Sequence, residues 1–84
     1  MPAYHVTVNA PPPAAVLRAL PAGARVVVRY RIEGGFTDVL GYLVEAADEE
    51  VTVAGRRGHV TVPYALVTAA KEVPPPPAPR PPRR

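Results

Sequence analysis

The sequence predicts an all-β domain, a small five-stranded barrel with a short N-terminal helix and a proline- and arginine-rich C-terminal tail. Three observations predict it. Apolar residues recur with a period of two along residues 25–72, which is the period at which successive side chains fall on opposite faces of a strand. Clusters of glycine and charged residues break those runs at short intervals, as hairpin turns do. The chain then closes on PPPPAPRPPRR, where proline removes the amide donors that a strand or helix needs.

Taken in order, Tyr4, Val6 and Val8 alternate with His5, Thr7 and Asn9 and read as a short strand. Pro11 to Pro13 introduce AAVLRAL, where Val16, Leu17 and Leu20 share one face of a short helix that Pro21 stops and that covers one end of the barrel. Gly23 makes a turn. Val26, Val28, Tyr30 and Ile32 then alternate with Arg25, Val27, Arg29 and Arg31, so the arginines project to one side and the apolar set faces a core. Glu33, Gly34 and Gly35 supply a turn that tolerates positive φ. The next run, TDVLGYLVEA, is long for one strand and carries Gly41 in its middle, a signal for a bend or bulge. Its inward set stays open between Val39 with Leu43 and Leu40 with Val44, with a switch at Gly41 a further option. Asp48, Glu49 and Glu50 read as a solvated hairpin loop, Val51 and Val53 as the core side of a third strand, Gly55 to Gly58 as the next hairpin, and Val60 and Val62 as the core side of a fourth strand. Pro63 to Leu66 suit a single 3₁₀ turn, because Pro63 cannot donate to a ladder, and residues 67–73 make the closing strand. Five strands with a 3₁₀ turn before the last is the order of an SH3-like barrel. The resulting division is residues 1–22 as N-terminal strand and helix, 23–73 as barrel, and 74–84 as a disordered linker or tail.

Composition narrows the function classes. The chain has 84 residues, room for one domain, with an independently folding unit of about fifty residues and little surface for a deep pocket. There is no cysteine, hence no disulfide and no thiolate metal site. No apolar run approaches a membrane span and the start lacks a basic segment followed by an apolar one, so a cytoplasmic protein without membrane contact is expected. Arginine outnumbers lysine nine to one, as GC-rich coding produces. The net charge of +3 invites a nucleic-acid reading, yet within residues 25–72 six cations face seven carboxylates. The excess sits on Arg18, Arg80, Arg83 and Arg84, so the basic balance describes the ends of the chain.

RVVVRYRI, GGFTDVLGYLVEA, VTVAGRRGHVTVP and VTAAKEVPPPP together resemble the SH3-like domain at the N-terminus of a bacterial subfamily of GNAT-type N-acetyltransferases, some of them called histone acetyltransferases. The likeness covers about residues 23–80. Its most specific parts are TDVLG, the RRG turn leading into V-x-V-P, and the AAK-x-VPP exit. The resemblance implies a non-catalytic module, with the proline and arginine segment leading into a catalytic domain that would begin where this chain ends. It implies a GNAT catalytic domain as partner, in cis or in trans, and acetyl-CoA only on that partner. The acetyl-CoA pyrophosphate in such enzymes is held by an R/Q-x-x-G-x-G/A loop opening a helix. The nearest match, RIEGGF at Arg31 to Phe36, has Phe36 where a small residue is required and reads as a hairpin turn.

No cofactor, metal or catalytic constellation is expected. His5 and His59 have no second histidine or carboxylate cluster at ligand spacing and read as strand surface residues. Asp38 reads as a turn residue bonding backbone amides after Gly35. Tyr30 is placed in the core, Tyr64 packed in the 3₁₀ turn, and Phe36 and Tyr42 partly exposed; with no tryptophan, a peptide groove or methyl-lysine cage is not favoured. The candidate interaction surface comprises Arg29, Arg31, Tyr42, Arg56, Arg57 and His59, as a protein-docking face or, in the alternative, an RNA- or DNA-binding face that also uses Arg25. Pro79, Pro82 and Arg84 fit a P-x-x-P-x-R ligand pattern, but a semi-rigid polyproline spacer accounts for the tail more simply.

Overall fold

The computed structural model describes residues 11–76. The strand at residues 4–8, His5, and the tail arginines and P-x-x-P-x-R pattern lie outside the described residues. Within them the chain runs α1 (Pro13–Arg18), β1 (Arg25–Ile32), β2 (Gly35–Ala46), β3 (Glu50–Gly55), β4 (Gly58–Pro63), a 3₁₀ turn (Tyr64–Leu66) and β5 (Val67–Glu72). All five strands form one antiparallel sheet in the order β4-β3-β2-β1-β5. Hairpins join the first four strands and the 3₁₀ turn carries the chain across to β5 beside β1.

The two-residue period sets the core. Val26 and Val28 from β1, Val39 and Leu43 from β2, Val51 and Val53 from β3 and Val62 from β4 are buried together on the concave side. Leu17 from α1 is fully buried in the same cluster, so the helix is a structural part of the core. The open choice on β2 resolves to Val39 and Leu43 inward, with Leu40 and Val44 exposed. The parity runs unbroken through Gly41 and changes one step later: Leu43 pairs with Val53 and Glu45 with Thr52, leaving Val44 as the extra residue of a bulge. Gly41 serves close approach instead. A Cβ there would run into the carbonyl oxygen of Ala54 and sit 2.7 Å from its carbon, so only glycine lets β2 press onto β3.

Three expectations need correction. Ile32 is 46% exposed, because β1 runs past the end of the core before the turn at Gly34, whose φ is 85°. Tyr30 packs against the core cluster while remaining only half-buried. Barrel closure does not come from a ladder: among the described residues none joins β4 to β5, and the 3₁₀ turn and α1 fill that side by packing. The cause is local to Pro63, which ends β4 without an amide donor, and the next amide, Tyr64 N–H, bonds to the Glu49 carbonyl at 3.0 Å.

Arg18 fastens the helix. Its guanidinium donates to the carbonyls of Ala47 and Asp48 in the β2–β3 loop and lies 5.5 Å over the Tyr64 ring. The exit from β5 is fixed as well: Val73 N–H donates to the Arg25 carbonyl at 2.9 Å, and the Arg25 guanidinium donates to the Pro74 carbonyl at 2.7 Å.

Candidate functional site

Burial of alternate residues on β1 and β2 leaves the other set on the convex side of the sheet. Arg25, Val27, Arg29 and Arg31 point outward from β1, and the ladder sets them opposite Tyr42, Leu40, Asp38 and Phe36 of β2. Lys71 of β5 extends the Val27–Leu40 row, and Ala54 of β3 with His59 of β4 extend the Arg25–Tyr42 row. The centre of this face is apolar, with Leu40 48% and Tyr42 46% exposed. Arg25 and Arg56 flank that centre in a shallow groove floored by Gly41, Ala54 and Gly55. A second hollow beside Leu40 is lined by Asp38, Arg56 and Arg57 together with Tyr30, Val39 and Val60 of the inward set.

Arg29 stands opposite Asp38 in the ladder, yet its guanidinium lies 5.6 Å over the exposed ring of Phe36. Among the described residues the one ion pair within 4 Å is Arg18–Asp48 on the far loop. The charges of the near-neutral barrel are therefore sorted in space. Arg25, Arg29, Arg31 and Lys71 share the outer face with Asp38 and, towards its β2–β3 end, with Glu45 opposite Thr52 and Glu50 opposite Pro63, and Arg56 and Arg57 form the turn at its margin. Glu45, Asp48, Glu49 and Glu50 gather at the β2–β3 hairpin. The near-zero sum over residues 25–72 thus covers a cationic stretch along β1 and an acidic end at the β2–β3 hairpin.

Of the sequence-predicted surface residues, Arg29, Arg31, Tyr42 and His59 lie on the outward side of the sheet, and Arg56 and Arg57 project from the two-residue turn between β3 and β4. Sequence reasoning named Tyr42 but did not pick out Leu40, Val27 or Lys71; for Leu40 the inward set of β2 was still open, and once Val39 is buried, parity places Leu40 outside. Asp38 sits within β2 and makes no hydrogen bond to the preceding turn among the described residues, since the strand points it outward. RIEGGF is a β-hairpin in which Ile32 pairs with Gly35, and Phe36 belongs to β2. It opens no helix, so its amides do not converge as an anion nest does. The Tyr64 hydroxyl is buried without a hydrogen-bond partner beneath Arg18. Among the described residues no three His, Cys, Asp or Glu side chains gather as metal ligands, and no helix is long and apolar enough to cross a membrane.

Comparison with curated proteins and with solved structures gives no match. A family model, the Rv0428c N-terminal Sm-like domain, matches residues 20–71, from just past α1 into β5. Its description states a fold and a position in a longer protein, and no activity. The five-stranded antiparallel sheet, the 3₁₀ turn before β5 and this match over most of the chain agree: the chain belongs to the Rv0428c N-terminal Sm-like domain family of small barrels.

Proposed function

We propose that this chain is a non-catalytic accessory module that accompanies a GNAT-type N-acetyltransferase domain and engages it by protein contact. The observation that carries the reading is the likeness of TDVLG, RRG with V-x-V-P, and AAK-x-VPP to the N-terminal domains of such enzymes. Those three segments form the middle of β2 where Gly41 meets Ala54, the β3–β4 turn with β4, and β5 with its anchored exit. A family described as an N-terminal domain is consistent with further polypeptide acting after it. RIEGGF, the nearest match to an acetyl-CoA pyrophosphate loop, is a hairpin that opens no helix.

The test is affinity capture with the tagged 84-residue chain from a lysate of its own source, beside a chain lacking residues 74–84, with mass spectrometry of what is retained. Recovery of a GNAT-type acetyltransferase is expected; its loss with the tail would assign the contact to the tether. No acetyltransferase in either capture would sink the reading. A second reading, a nucleic-acid-binding barrel, is favoured by one observation, the cationic outer face around Tyr42. It requires binding to oligouridylate or duplex DNA that falls steeply as salt is raised.

A further inference from the structure

The outer face combines features that a solvated strand surface does not need. Leu40, Tyr42 and Phe36 are about half-exposed on one strand, with Asp38 between Phe36 and Leu40, and cations flank them: Arg25 and Arg56 on either side of the groove, Arg29 on β1 and Lys71 on β5. Apolar side chains beside an excess of cations suit a partner that brings both a dry contact and the opposite charge.

We infer that the convex face of β1 and β2, centred on Leu40 and Tyr42, docks an acidic polypeptide surface that carries aliphatic side chains. This rests on the reading of the chain as a protein-docking module, and not on the partner's being an acetyltransferase. Three observations choose the occupant. The centre is Leu40 with Val27 beside it, aliphatic groups that give little to a phosphodiester backbone. The chain's own tail is excluded by sign, since Arg80, Arg83 and Arg84 carry the charge of the face. Two copies meeting face to face would oppose arginine to arginine. The exit of the chain adds a geometric argument. Pro74 is held by the side chain of Arg25, and Arg25 is the ladder partner of Tyr42, so whatever follows β5 starts at the rim of this face. A following acidic domain would meet it at high effective concentration.

The test is an amide NMR titration of the labelled 84-residue chain with a short peptide alternating glutamate and leucine. A peptide alternating lysine and leucine and a short oligouridylate serve as comparisons. The expected result is that the acidic peptide shifts amides of β1, the middle of β2 and the Arg56–Arg57 turn, and that its affinity falls as salt is raised. Leu40→Ser and Arg29→Glu should each weaken it roughly tenfold or more, with thermal midpoints unchanged to show that the fold is intact. Shifts confined to other surfaces, equal affinity for the lysine peptide, or tighter binding of oligouridylate to the same face would overturn the inference. The two proposals fail separately: an acetyltransferase captured equally well by Leu40→Ser and Arg29→Glu chains would place its contact elsewhere, whereas acidic-peptide binding with no acetyltransferase captured would leave the docking face standing.

Discussion

Gly41 is the residue at which the fold is least forgiving. Its alpha carbon faces the Ala54 carbonyl so closely that any side chain forces the backbones of β2 and β3 apart. Gly41→Ala should therefore lower stability by about 1–3 kcal/mol or more, the cost of overpacking with backbone displacement. Gly35→Ala meets open space and should change it by no more than about 0.5 kcal/mol. Urea unfolding of the two variants checks the pair; equal effects would refute the close-approach account. The sequence signalled a special role for Gly41 but not its nature. A mid-strand glycine reports a missing side chain, whereas what it makes room for is supplied by a residue thirteen positions away. The same limit left the inward set of β2 undecided, because Val39, Leu40, Leu43 and Val44 are all apolar and only pairing with Val53 and Thr52 fixes the bulge at Val44.

Among the elements, α1 is short, and helices of this length do not persist alone in water. It is held by burial of Leu17 and by the Arg18 contacts to the β2–β3 loop. Leu17→Ala should cost about 2–5 kcal/mol, as for other leucines truncated in a core, which for a small domain is enough to populate the unfolded state at room temperature. Arg18→Ala should cost about 0.5–1.5 kcal/mol through its hydrogen bonds. Asp48→Asn should leave stability within about 0.5 kcal/mol of the parent, because the Asp48 carboxylate is wholly exposed at 3.8 Å and Arg18 bonds the backbone of that loop. Thermal unfolding of the three variants gives the order; a larger loss in Asp48→Asn than in Arg18→Ala would contradict it. Element order was legible in advance, including the 3₁₀ turn, since Pro63 and the glycine turns act locally. Closure was not. Whether β4 and β5 pair depends on where the 3₁₀ turn delivers the chain, and no local pattern encodes that.

At the level of the whole molecule, net charge proved a poor guide to the surface. Six cations and seven carboxylates nearly cancel over residues 25–72, yet the hairpin topology gathers Glu45, Asp48, Glu49 and Glu50 at the β2–β3 hairpin and turns the arginines of β1 outward. The arginine alternation was visible in the sequence; its meeting with Leu40 and Tyr42 required the register of β1 against β2. What results is a small Sm-like barrel with a shaped, charged convex face and a chain exit fixed at its rim. The most direct measurement is isothermal titration of the purified 84-residue chain with the GNAT-type acetyltransferase domain of its own source, at low and at high salt. The account predicts saturable binding that weakens as salt is raised. Absence of binding at both salts, with the chain folded and oligouridylate bound instead, would contradict it.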